Sequence, residues 1–215
     1  GIDIVLSMDI SGSMKAVDFK PNRLEAAKNV AAKFIAGRPN DNIGLVVFAG
    51  ESFTQCPLTT DHAVLINLLS DIRTGMLEDG TAIGMGLATA VSRIKESKAK
   101  SKVIILLTDG MNNYGAISPE KAAELAQTFG VRVYTIGVGS QGVAQVPVQT
   151  AFGVKMQDME VKIDEALLQG IADKTGGKYF RATNNKSLES IYEEIDKMEK
   201  TIMEVRHYTQ RTDEY

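Results

Sequence analysis

Apolar residues arrive along this chain in two rhythms. Short unbroken runs, "IDIVLSMD" (2–9), "IGLVVFAG" (43–50), "KVIILLTDG" (102–110) and "VRVYTIGVG" (131–139), are rich in β-branched residues and read as strands. Their continuity suits strands covered on both faces, as in a parallel sheet. Between them lie segments with helical spacing. In residues 23–37, Leu24, Ala27, Val30, Ala31 and Phe34 fall on one stripe. Asn22 stands as N-cap with Glu25 three residues on, and Gly37 is placed to end the helix. Residues 82–97 and 119–130 are further helices, the second with Ser118 as cap, Pro119 at its first position and Gly130 at its end.

The remaining segments fill in around this frame. "SFTQCPLT" (52–59) alternates polar and apolar residues and follows Gly50 closely, which predicts an antiparallel return on an edge where Pro57 is tolerated. Asp61 caps a short helix through Leu69, and residues 145–161 alternate around Ala151-Phe152-Gly153 as an inserted β-hairpin. Asp164 opens another helix, residues 177–183 give a short strand, and Ser187 begins an amphipathic helix to about Met203. The tail, residues 204–215, has no apolar stripe and reads as a partly extended linker. This β-α alternation predicts one α/β domain over residues 1–203: a doubly wound, mostly parallel sheet with right-handed crossovers and one antiparallel edge strand.

Composition narrows the functions open to such a domain. The chain has 215 residues, 44% hydrophobic and 24% charged, long enough to bury a substantial core. A net charge of -3 provides no basic footprint, which argues against a nucleic-acid partner. Cys56 is the one cysteine, so no internal disulfide forms, and with only His62 and His207 beside it a usual zinc site is not expected. No apolar run approaches the ~18 residues that span a bilayer, so this segment is not expected to insert into a membrane itself. Starting on Gly1 and a strand-like run, it reads as a domain excised from something larger.

The chemistry gathers where strands end. In an open α/β sheet, ligands bind outside the carboxyl ends of the strands, where the strand order reverses. Asp9 ends the first strand in "LSMDISGSM", and Asp109 ends another in "LLTDG". If the order is 3-2-1-4-5-6, the two are neighbours at the reversal. "EDGTAIGMG" places Thr81 at the mouth of a helix facing the same crevice. Taken singly, Ser11, Ser13 and Thr81 are ordinary cap or turn residues. Together with Asp9 and Asp109 they form a set of hard oxygen donors with no nitrogen or sulfur, suited to Mg²⁺ or Mn²⁺. Met14, Asp79, Met111, Asn112 and Asn113 are the expected rim. Gly137 to Gly142 spells G-x-G-x-x-G, but the continuation contains Pro147 and alternates like a strand, so no helix follows to receive a pyrophosphate.

Asp9-Ile10-Ser11-Gly12-Ser13 resembles the D-x-S-x-S signature of von Willebrand factor type A domains, and Thr81 and Asp109 fit that family's second and third motifs. The resemblance covers roughly residues 2 to 200. It implies a Rossmann-like fold with a metal-ion-dependent adhesion site, in which Asp9, Ser11 and Ser13 contact the metal directly or through water. It also implies that Thr81 joins in the ligand-bound state and that Asp109 often acts through water. "DFKPNRLEAAKNVAAKFI" and "GMLEDGTAIGMGLATAV" are similar to the bacterial aerotolerance-associated BatA-type proteins. That likeness implies a domain anchored at the inner membrane, with other Bat-type proteins and a MoxR-type AAA+ ATPase as partners. The implied function is adhesion to a partner's acidic residue through the metal, without catalysis. The rival reading is a Mg²⁺-dependent phosphoryl-transfer enzyme with Asp9 as nucleophile. Such enzymes need D-x-D, and Ser11 stands where the second carboxylate would do the proton work.

Overall fold

The computed structural model describes residues 1–213. A six-stranded sheet is built from β1 (Asp3–Asp9), β2 (Asn42–Phe48), β3 (Ser52–Thr59), β4 (Lys102–Thr108), β5 (Arg132–Val138) and β8 (Tyr179–Ala182). Their order is β3-β2-β1-β4-β5-β8, parallel except for the antiparallel pair β2–β3. The doubly wound reading is thus correct, including the edge position of the strand that carries Pro57. β6 (Val143–Thr150) and β7 (Gly153–Glu160) form the expected hairpin as a separate two-stranded sheet, turning at Ala151-Phe152.

Six helices cover the two faces: α1 (Arg23–Ala36), α2 (His62–Ser70), α3 (Ile83–Ile94), α4 (Pro119–Thr128), α5 (Glu165–Thr175) and α6 (Asn185–Asp213). Side chains alternate along each buried strand, so one strand feeds two cores. Ile4, Leu6 and Met8 of β1 pack with α1, α2 and α6, whereas Val5 meets α3, α4 and α5 with Ile104 and Leu106 of β4. The second face requires close approach: a Cβ added at Gly84 in α3 would lie 2.1 Å from the Ile117 carbonyl oxygen. The caps read from sequence are present, with Asn22, Asp61, Ser118 and Asp164 each accepting from a backbone N–H of its own helix.

The last helix departs from expectation at both ends. It starts at Asn185, two residues before Ser187, and Asn184 supplies the cap by accepting from the Ser187 N–H. It then runs on through the tail read as partly extended, up to Asp213, with Glu214 and Tyr215 outside the described residues. Residues 204–212 are exposed throughout, so the helix continues there with no packed face to print a stripe on the sequence. Its hold on the domain is polar: Arg206 donates to the Lys100 carbonyl and to Ser101 Oγ, and Lys100 to Gln210. Further up, buried Glu199 accepts two bonds from Arg132 (2.9 and 2.7 Å) and one from the Tyr134 hydroxyl. Among the described residues, no helix is long and apolar enough to cross a membrane.

Candidate metal centre

β1 and β4 are adjacent parallel strands, paired from Asp3 with Lys102 to Met8 with Leu107. Their carboxyl ends therefore deliver Asp9 and the residues just after Thr108 to one point, at the reversal of strand order. Asp9 is fully buried. Its Oδ1 accepts from the Ser11 N–H at 2.8 Å and its Oδ2 from Thr108 Oγ1 at 2.8 Å. The chain then makes a 3-10 turn over Gly12–Lys15, and Ser11, at the cap position, uses no side-chain bond to cap it. Its hydroxyl instead lies 3.1 Å from Ser13 Oγ, and Ser13 Oγ donates to Asp109 Oδ1 at 2.9 Å. The structure thus brings Asp9, Ser11, Ser13 and Asp109 into one continuous hydrogen-bonded cluster.

Thr81 lies next to the cluster, beside Gly110. The N-cap of α3 is Ala82, without a side-chain bond, so Thr81 is not the cap. A Cβ added at Gly110 would stand 3.7 Å from Thr81 Oγ1, which puts that hydroxyl beside the residue following Asp109. Asn113 and Thr81 hold each other by two bonds: Asn113 Oδ1 accepts from the Thr81 N–H (2.9 Å), and the Asn113 N–H donates to the Thr81 carbonyl (3.0 Å). Asn112 Oδ1 accepts from the Ile83 N–H at 2.9 Å and so caps α3 from a distant loop. Asn113 thus holds Thr81 in place and Asn112 the first residue of α3, in addition to their expected place on the rim. Replacing Asn112 with alanine should cost about 1 kcal/mol of stability, the usual loss of a helix cap, in a urea titration. Asn112→Asp, which keeps the acceptor, should retain it.

The other rim expectations divide. Met111 is exposed, and Asp79, also exposed, accepts from the Gly12 N–H at 2.9 Å. Met14 is fully buried in the α1 face of the core and cannot meet a partner, because the 3-10 turn rotates it inward. Gly12 is not among the glycines with positive φ. The loop therefore needs no special backbone there, and the N–H bond to Asp79 is what orients it.

Sequence reasoning missed the cation that pairs with Asp109. Arg23 is buried at the first position of α1 and spans two carboxylates. Its Nη1 donates to Asp109 Oδ2 at 2.8 Å, and its Nε and Nη2 donate to Asp18 at 2.7 Å each. A guanidinium at a helix N-terminus opposes the helix dipole, and that mismatch was the readable sign of a partner elsewhere. Burial would raise the Asp18 carboxyl, but bonds from Arg23 and the Ser140 N–H outweigh it and hold it below its ordinary value.

Asp9 has no such counter-ion. Burial, followed by the nearby charge of Asp109, pushes its carboxyl from 3.8 up to about 7, against the lowering effect of its bonds with Ser11 and Thr108. The site thus concentrates negative charge that a cation would relieve. Oxygens bound at right angles to Mg²⁺ at 2.0–2.1 Å lie about 3 Å apart. Ser11 to Ser13 (3.1 Å) and Ser13 to Asp109 (2.9 Å) are hydrogen-bonded contacts that also leave these oxygens close enough together to share one ion. Among the described residues, no three His, Cys, Asp or Glu side chains converge, so hydroxyls and water would complete the shell. The donors present fit a hard, small dication.

The model of the von Willebrand factor type A domain matches residues 3–194. A protein of Borreliella burgdorferi is 37% identical over 201 residues, covering 93% of this chain and 59% of that protein. A UPF0353 protein of Nocardia farcinica is 30% identical, covering 90% of this chain and 62% of that protein. The chain thus spans less than two thirds of either relative's length. Among solved structures, BatB from Bacteroides thetaiotaomicron superposes with a TM-score of 0.80 at 33% identity, covering 93% of this chain and all of that one. An aerotolerance-related membrane protein from Bacteroides fragilis gives 0.79 at 31% identity, covering 92% and 98%. Proximal thread matrix protein 1 from the mussel byssus, described with a zinc-occupied MIDAS motif, gives 0.70 at 25% identity, covering 92% of this chain and 45% of that one. With its motifs at the strand ends and its family model matched across most of its length, the chain belongs to the von Willebrand factor type A domain family.

Proposed function

We propose that this domain is a divalent-cation-dependent protein-recognition module, in which Asp9, Ser11, Ser13, Thr81 and Asp109 hold Mg²⁺ or Mn²⁺ and a partner contributes a carboxylate. The observation that carries this reading is the chain of hard oxygen donors from Ser11 through Ser13 to Asp109, gathered beside the buried carboxylate of Asp9. A bound dication would supply a strong, directional anchor for an incoming carboxylate. Ser11, Ser13 and Thr81 would contribute neutral donors, so the ion keeps enough charge to attract one more anion. The zinc-occupied motif described for the mussel protein supports the same use of the fold.

Catalysis is not part of this reading. Ser11 occupies the place where a phosphoryl-transfer enzyme of this topology keeps a second carboxylate, and an alkyl hydroxyl, with its pKa far above neutrality, makes a poor general acid or base there. The likeness to BatB and to an aerotolerance-related membrane protein supports a place in a membrane-associated assembly of Bat-type proteins; a MoxR-type AAA+ ATPase is the further partner that this reading proposes. In the longer protein the domain would stand beside an inner-membrane anchor.

Titration calorimetry tests the metal centre. Mg²⁺ or Mn²⁺ should bind once per chain, and Asp9→Ala should remove the heat entirely; binding that survives the substitution defeats the assignment. Capture from native membranes, with Mg²⁺ against EDTA, then tests recognition: the same proteins recovered under both conditions would remove the metal from it.

A further inference from the structure

The hairpin stands over the candidate metal centre. Residues paired across an antiparallel hairpin share a face, so Ala144 with Met159, Val146 with Gln157 and Val148 with Lys155 form one side of it. Ala144 is buried against the domain, while Val146 and Val148 are half-exposed. Beneath them runs an open groove of about 250 Å³ bounded by Val146, Val148, Asp158 and Met159 on one side and by Gly12, Ser13 and Asp79 on the other. Ser13 therefore belongs both to the oxygen cluster and to the groove. The volume lies below the range of about 300–1,000 Å³ usual for small-molecule sites and suits one or two side chains of a peptide.

The hairpin is referenced to the cluster by bonds at its base. The Val17 N–H donates to the Gln145 carbonyl at 2.9 Å and the Val161 N–H to the Gly142 carbonyl at 2.8 Å. The Ser140 N–H donates to Asp18 Oδ2 at 2.9 Å, and Arg23 joins that carboxylate to Asp109. Charge is arranged along the groove as well. Asp79, exposed, borders it beside Gly12 and Ser13, and Asp158, also exposed, lies on the hairpin strand that flanks it. A partner bringing only negative charge would be repelled by these two carboxylates, whereas a basic side chain next to its acidic residue would be paired by them. The apolar flank of Val146, Val148 and Met159 leaves room between these charges for a hydrocarbon side chain.

We propose that the hairpin is the second half of the recognition site, and that the partner segment carries an apolar and a basic side chain adjacent to its metal-binding acidic residue. This rests on the metal-centre reading above and extends it to specificity. Binding of the carboxylate alone would be weak and unselective; the groove admits a zwitterionic, partly apolar segment and turns away an acidic tract.

The test uses a displayed library of random peptides, selected on the chain in Mg²⁺ and in EDTA. Mg²⁺-dependent binders should be enriched in Asp or Glu beside Leu, Ile, Val or Phe and beside Lys or Arg. A synthetic binder should lose about tenfold in affinity when its apolar residue becomes serine or when the domain carries the double substitution Val146→Ser and Val148→Ser. Asp79→Lys should weaken it similarly, while calorimetric Mg²⁺ affinity of the hairpin double variant stays that of the wild type. Mg²⁺-dependent binders enriched in acidic residues alone, or insensitive to the hairpin substitutions, overturn the hairpin proposal and leave the metal centre standing. Loss of Mg²⁺ binding from the unmodified chain would overturn the metal centre itself, and with it this extension. A library with no Mg²⁺-dependent binder, from a chain that binds Mg²⁺, also overturns the proposal.

Discussion

Asp9→Asn is expected to melt above the wild type when both are stripped of metal at pH 8. The wild-type carboxyl is raised from 3.8 to about 7 by burial and then by the charge of Asp109. Its folded state therefore holds the proton more tightly than the unfolded chain does. This group's contribution to stability is highest below about pH 4, falls as pH rises between about 4 and 7, and carries the full penalty above 7. At 1.36 kcal/mol per unit, that penalty reaches about 4 kcal/mol, or roughly 10 °C in melting temperature for a domain of this size. Asparagine removes the charge, keeps an acceptor for the Ser11 N–H and leaves Thr108 free to turn its hydroxyl. Melting curves in EDTA from pH 4.5 to pH 8 should diverge steadily, the wild type falling and the variant flat. Added Mg²⁺ should then lift the wild type and leave the variant unmoved. A wild-type profile in EDTA that is level across this range would refute the account. The substitution that destroys the proposed function is thus expected to improve the empty fold, the signature of a residue kept for binding at a cost in stability.

Arg23→Met should have the opposite character, a loss with or without metal. The guanidinium is buried and satisfies Asp18 and Asp109 at once. Removing it strands two buried carboxylates, which costs about 3–5 kcal/mol in comparable cases. Arg23→Lys should recover little, because the bonds come from three nitrogens in a planar fork and an ammonium offers a single point of charge. Urea unfolding of wild type, Arg23→Lys and Arg23→Met is the measurement. A loss under about 1 kcal/mol for methionine would mean that water screens these carboxylates, contrary to their burial. Adding Asp18→Asn to Arg23→Met should return part of the loss, since one of the stranded charges is gone.

What could be read from the sequence was whatever repeats or punctuates. The strands show as apolar runs, the caps as polar residues before helical stripes, and the sheet order follows from the alternation and the position of Asp9 and Asp109. Asp9 and Asp109 were legible because they stand at the carboxyl ends of adjacent strands, and the fold leaves one crevice at which such ends meet. What escaped was contact between distant loops. Nothing near Asn112 announces that it caps α3, since its partner Ile83 lies far off in sequence. Met14 looked like a rim residue beside Ser13, but a 3-10 turn has no face that spacing alone can reveal. Arg23 was hidden inside a good helical stripe, where only its place at the positive end of the helix hinted at a carboxylate. The tail from residue 204 carries no stripe because its helix touches the domain through polar groups.

The outer strand of the sheet has a consequence for how copies of this domain coexist. β3 is exposed at the edge, yet Pro57 removes an N–H from its ladder, and the pairing with β2 shifts register between Ile43, Leu45 and Val46. At the opposite edge β8 is only four residues long. Neither border offers the straight row of free backbone groups on which a second chain could grow as a further strand. Domains of this kind can be crowded side by side without zipping into ribbons, and an extended peptide cannot gain a foothold by lengthening the sheet. A partner that holds on to this domain gains its grip from side chains, at the strand ends and along the hairpin, and not from the borders of the six-stranded sheet.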